Sequence, residues 1–183
     1  ASLAPSEMCI RDSTNPPLSL TKYKLLSFDV YGTLVQYKAH ILTSFRPLLS
    51  RLPNNSIYLN AEPLPAGPSH SATKGDIEFL KLFQKTEDTI KLETTPRRFD
   101  EILREIWRRI ADQLEIETDQ AECKKFGSES NIASWPCFQG TKQALELLAQ
   151  RYNLVALSNI DHYAWQITAK ATGLRDVKWA KVF

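Results

Sequence analysis

Hydrophobic positions along the chain switch repeatedly between strand-like and helix-like spacing. Leu25, Leu26, Phe28 and Val30 form a short apolar run that carries Asp29 near its end and is broken by Gly32. A run of this length, bounded by a turn signal, predicts a buried strand over residues 24–30. The period then becomes helical: Ile41, Leu42, Phe45, Leu48, Leu49 and Leu52 predict an amphipathic helix over about residues 39–51, with Pro47 as a kink or break. Residues 56–74, with Pro63, Pro65, Gly67 and Pro68, read as a long surface loop, for which a substrate-gating lid is the functional alternative. Phe79, Leu82, Phe83, Thr86 and Ile90 mark a helix over residues 75–92. Thr95 as N-cap and Pro96 at the first helical position predict the start of the next.

That helix has the clearest period in the chain, through Phe99, Ile102, Leu103, Ile106, Trp107, Ile110 and Leu114. Its other face, with Arg97, Arg98, Glu101, Arg104, Glu105, Arg108 and Arg109, reads as a solvated, ion-paired surface, with an anion site as the alternative. Thr118 or Asp119 caps a short helix to about Phe126, and residues 127–134 read as a polar return. A helix over residues 141–151 leads to a second short apolar run, Asn153 to Leu157, which ends at Ser158-Asn159. Asp161 caps a helix that Gly173 stops after Thr172, and residues 177–183 begin a third strand.

Strand, long helical excursion, helix, strand, helix predicts an α/β fold: a doubly wound parallel-sheet core, incomplete in its third strand, with an inserted α-helical cap. The boundaries that follow are a core of residues 21–35 and 134–183 and a cap of residues 36–133. Residues 1–20 read as a disordered tail, rich in Ser and Pro with Pro16-Pro17 near its end. Within it, SEMCIRDS resembles translated sequencing-adaptor read-through, so the tail is set aside as non-native for the fold reading.

Composition narrows the function classes. A net charge of +2 over 183 residues gives no electrostatic footprint for nucleic acid or a membrane surface. No apolar run has transmembrane length, and no secretory core opens the chain. Cys9, Cys123 and Cys137 read as free thiols of a reducing, cytoplasmic setting. The scattered His40, His70 and His162 supply no metal-ligand spacing.

The chemistry converges on strand ends, where open α/β sheets bind ligands. A carboxylate delivered there, as at Asp29, can form a covalent ester and split one displacement into two steps, although a strand-end Asp can also cap a turn. Gly32 lets the backbone turn and expose N–H groups, and the Thr33 hydroxyl is within reach of the carboxylate or the turn. Ser158 and Asn159 offer a hydroxyl and an amide at the same sheet edge; a turn or helix cap is the structural alternative for them.

FDVYGTL followed, more than a hundred residues later, by LVALSN resembles the first two motifs of the haloacid dehalogenase superfamily. The DVYGTL form is similar to its L-2-haloacid dehalogenase branch. The resemblance implies Asp29 as nucleophile, Thr33 as the residue that orients it, and Tyr31, Ser158 and Asn159 as substrate-binding residues. It also implies a small-molecule substrate, most readily a 2-haloalkanoic acid, and a fold in which homodimers are common. Phosphatases of the superfamily carry a second Asp where Tyr31 stands, as a general acid with its carbonyl on Mg²⁺. Tyrosine, with an ordinary pKa of about 10, is a poor proton donor at neutral pH, whereas halide leaves without a proton. The expectation is therefore carbon–halogen hydrolysis with no metal and no cofactor; a Mg²⁺-dependent phosphatase and a non-catalytic binding protein are the alternatives. The family's halide-receiving arginine falls near Leu82 to Lys85, where Phe83 and Gln84 stand, leaving Arg46, Arg97 or Arg98 as substitutes. Its catalytic lysine is expected beyond Phe183, since Lys178 and Lys181 come too early, before the third strand.

Overall fold

The computed structural model describes residues 22–63, 72–93 and 97–183. The expected tail, the middle of the long loop and the Thr95-Pro96 helix start lie outside the described residues. Three parallel strands form one sheet in the order β1-β2-β3: β1 Leu25–Phe28, β2 Asn153–Ala156 and β3 Trp179–Val182. β2 is buried on both sides in its last three residues, as the central strand of a parallel sheet must be. Its register runs from Leu25 opposite Asn153 to Phe28 opposite Ala156. The Leu157 N–H donates to the Phe28 carbonyl at 2.8 Å, so the two strands end side by side.

Between β1 and β2 the chain makes its helical excursion: α1 Tyr37–Leu49, α2 Lys74–Lys91, α3 Phe99–Gln113, α4 Gln120–Phe126, α5 Glu129–Ala133 and α6 Thr141–Leu148. α7, His162–Thr172, follows β2. The Thr73 hydroxyl and the Asp76 carboxylate close a capping box on α2. The helix built on the clearest period begins at Phe99, with Arg98 at the cap position. Residues 127–134, expected as a polar return, contain α5 instead: the Ser128 hydroxyl accepts from the Asn131 N–H and caps a short helix that buries Ile132. Asp119 caps α4, and Asp161 and Gly173 bound α7 as their types predict. The long loop closes on itself, since Lys74 N–H donates to the Glu62 carbonyl at 2.9 Å and Gly75 N–H to the Asn60 carbonyl at 3.0 Å.

The cap has an aromatic core of its own. Phe45 of α1 is fully buried, with ring centroids of Trp107 at 4.5 Å, Phe126 at 4.8 Å and Phe79 at 4.9 Å. The opposite face of α3 is ion-paired as expected: Glu105 holds Arg108 at 2.7 Å and Arg109 at 2.6 Å. Two connections join cap to core, and they run together. Val35 bridges Cys137 antiparallel, Gln36 N–H donates to the Pro136 carbonyl at 2.8 Å, and Phe138 N–H donates to the Leu34 carbonyl at 3.1 Å. Among the described residues no helix is long and apolar enough to cross a membrane.

Candidate active site

The turn after β1 sets the position of Asp29. Val30 is fully buried, and its carbonyl accepts from the N–H groups of Leu34 at 2.8 Å and Val35 at 2.9 Å, which curls the chain back. Gly32 completes the turn at φ +91°, a region that β-carbon-bearing residues rarely enter, and its N–H donates to the Val35 carbonyl at 2.8 Å. A turn tied by backbone groups leaves the preceding carboxylate free, and Asp29 is exposed at the strand end. Continuing the β1–β2 register places Leu157 opposite Asp29, with Ser158 and Asn159 next along the chain.

These residues line one cavity of about 260 Å³ between core and cap, together with Tyr31, Tyr37, Phe83, Gln84, Glu87, Lys91, Phe99 and Trp135. Of the residues expected from sequence, Asp29, Tyr31, Ser158 and Asn159 are brought together here. Thr33 is exposed and outside the cavity lining; among the described residues no hydrogen bond joins its hydroxyl to Asp29. Its backbone N–H donates to the Val30 carbonyl at 3.3 Å, so its visible part is in the turn.

Tyr31 contributes its ring, not its hydroxyl, to the cavity. The phenol is 2.7 Å from the Thr168 hydroxyl, which is fully buried in α7. Burial pushes the phenol up to about 12, with the charge of Asp161 acting in the same direction and the Thr168 hydrogen bond opposing. At neutral pH it therefore stays protonated and is a weaker acid than an ordinary phenol. The ring packs at 5.3 Å from Phe99, 5.1 Å from Trp135 and 6.0 Å from Tyr37, so an aromatic wall joins the two parts of the molecule. Burial also raises the Tyr37 phenol, followed by the charges of Glu87, Asp29 and Asp88.

Asp161, two residues past Asn159, ties this wall in place. One carboxylate oxygen caps α7 by accepting from the Ala164 N–H at 2.7 Å; the other accepts from the Phe99 N–H, at the start of α3, at 2.6 Å. Sequence reasoning identified the local cap and missed the bridge to α3, because the second donor lies 62 positions away. Beside it Arg98 stacks over the Tyr163 ring at 4.3 Å and pairs with the buried Asp100 at 2.9 Å. Burial raises the Asp100 carboxyl, but the hydrogen bond from Arg98 and the charges of Arg98 and Arg104 outweigh it and hold it below its ordinary value.

Phe83 and Gln84, which stand where the resemblance expects a cap cation, line the cavity, whereas Arg46, Arg97 and Arg98 do not. The lining cation among the described residues is Lys91, a residue the sequence reading passed over. Its signal was present: Gln84, Glu87 and Lys91 fall at three- and four-residue spacing on one helical stripe. The described residues contain no cluster of three or more metal-ligating side chains.

No family model and no curated protein sequence matches the chain. Solved structures do. The L-2-haloacid dehalogenase of Xanthobacter autotrophicus aligns at a TM-score of 0.61 and 17% identity, over 88% of this chain and 56% of that one. The same enzyme with chloropropionic acid covalently bound aligns at 0.61 and 16%, over 88% and 56%. The putative HAD-hydrolase YfnB of Bacillus subtilis, bound to magnesium, aligns at 0.59 and 16%, over 88% and 64%. The chain thus spans between 56% and 64% of these structures' length, and at such identities the likeness is one of fold. The parallel sheet, the strand-end cavity and the inserted helices together give this chain the fold of these dehalogenase and hydrolase structures.

Proposed function

We propose that this chain carries the nucleophile of a hydrolase that cleaves a carbon–halogen bond in a 2-haloalkanoic acid or similar small carboxylate. The observation that carries the reading is the meeting of Asp29, Ser158 and Asn159 at adjacent strand ends on one cavity wall. An Asp29 carboxylate oxygen attacks the carbon bearing the halogen, a C–O bond forms, and the halide leaves with the C–X electron pair. Water then adds to the ester, returning the Asp29 carboxylate and releasing a hydroxy acid and a proton. Ser158 and Asn159 supply neutral donors for the substrate carboxylate or the charge that builds during ester hydrolysis.

The fate of Tyr31 supports this choice of leaving group. Its hydroxyl is engaged with Thr168 and burial pushes it up to about 12, which suits a leaving group that departs without a proton from that position. The likeness to an enzyme whose structure holds covalently bound chloropropionic acid supports the same reading. A Mg²⁺-dependent phosphatase is the second reading, motivated by the fold shared with the magnesium-bound hydrolase. The strand-end wall fits it less well, because Asp29 is the carboxylate there and a phenol occupies the place of the second. No step is routed through a metal, and no cofactor is assigned.

The test is halide release from a panel of 2-halo acids by the protein in its full natural length. Turnover that falls by more than about a thousandfold in Asp29→Asn is the expected result. Turnover that persists in Asp29→Asn sinks the nucleophile. Phosphate-ester turnover that EDTA abolishes, with no halide release, replaces the first reading with the second.

A further inference from the structure

The cavity is lined by two chemically different sets of polar residues. The strand ends supply Asp29 with the neutral donors Ser158 and Asn159; α2 supplies Gln84, Glu87 and Lys91. Apolar side chains, among them Ile41, Phe83, Phe99 and Leu103, line the same space. At about 260 Å³ the cavity has the volume of roughly nine waters at about 30 Å³ each, more than a three-carbon acid fills.

Glu87 is 9% exposed. It pairs with Lys91 Nζ at 2.9 Å and accepts from Gln84 Nε2 at 3.2 Å. The lysine charge is therefore matched inside the cap wall and offers little surplus attraction for an anion. A carboxylate has about four acceptor sites, and these two contacts leave others open. Among the described residues the lining holds two carboxylates, Asp29 and Glu87, against one ammonium. A plain monoanionic acid entering the cavity adds a like charge. A zwitterion adds none, and places its own cation where a buried carboxylate has acceptor capacity left.

We propose that Glu87, its carboxylate oriented by Gln84 and Lys91, forms a subsite for an ammonium or similar charged donor of the substrate, so that the preferred substrate class is a 2-halo carboxylic acid that also carries an ω-amino group. The proposal rests on Asp29 being the reacting group of the cavity, and its test is kept apart from turnover. Unreactive ligands serve: propionate, butanoate, pentanoate and hexanoate, each against the ω-amino acid of equal length, titrated into the full-length protein.

At the best-fitting length the ω-amino acid binds about tenfold more tightly than the alkanoate. Glu87→Gln removes that difference, and Lys91→Met, which releases Glu87 from its partner, enlarges it. Glu78→Gln, on the same helix but paired with Lys81 away from the cavity, leaves it unchanged. Three outcomes overturn the subsite: alkanoates that bind as tightly at every length, no binding by any ω-amino acid, or a preference that survives Glu87→Gln. A protein that releases halide through Asp29 and shows no such preference keeps the proposed reaction and loses the subsite.

Discussion

The two walls of the cavity are held by different forces. The core wall is a backbone structure: β1, β2 and the curled turn at Val30 fix Asp29, Ser158 and Asn159 through main-chain hydrogen bonds that few substitutions can remove. The cap wall is a side-chain structure, in which α1–α4 are held on one another by packed rings and ion pairs. The core wall thus holds Asp29 in one place, while the cap wall is free to vary its lining.

The sharpest way to break this contrast is to empty the cap's core. Phe45→Ala removes a fully buried ring from contact with Phe79, Trp107 and Phe126 and is expected to cost about 3–5 kcal/mol. Hydrogen exchange locates the loss: amides of α1–α4 lose protection while those of β2 keep it. Equal loss in both walls refutes their separate construction. A smaller effect is expected at the seam. Asp161→Ser retains a good N-cap for α7 but cannot also reach the Phe99 N–H, leaving a buried donor unpaired, a loss of about 2 kcal/mol. Faster exchange confined to the first turn of α3 is the signature; unaltered exchange there removes the bridge from the account.

The smallest effect is electrostatic. The hydrogen bond from Arg108 has the largest influence at Glu105; burial opposes it, the hydrogen bond from Arg109 adds to it, and the carboxyl is held at about 2, below its ordinary 4.5. A depressed carboxyl stabilises the fold above its unfolded pKa, and that contribution fades as pH falls from about 4.5 through about 2. Because Arg108 is half exposed, the gain is about 1 kcal/mol after screening. Urea titrations should show Glu105→Gln less stable than wild type at pH 6, the gap closing toward pH 2.5. A gap that is constant with pH assigns the difference to packing.

The same contrast governs what could be read from sequence. Asp29, Tyr31, Ser158 and Asn159 were legible because strand ends bring short contiguous motifs together, and parallel pairing does the rest. Thr33 was placed on the right turn, yet its side chain stands outside the cavity. The cap wall was not legible as a site. Glu87 and Lys91 have the spacing of an ordinary helical ion pair, and only the packing of α2 shows that their stripe lines the same cavity as Asp29. Helix boundaries followed local caps at Asp119, Asp161 and Gly173. They failed at α5, where a polar run hid Ile132, a single apolar anchor too short to show a period.

The paired connections at 34–36 and 136–138 make the cap a closed excursion, leaving and re-entering the core at neighbouring points. The sheet register is indifferent to how much chain lies between them. Length, helix count and the polar stripe of α2 can therefore drift from one descendant sequence to another without disturbing Asp29. In such an arrangement the helical lining of the cavity is a replaceable module hung on an unchanging sheet edge.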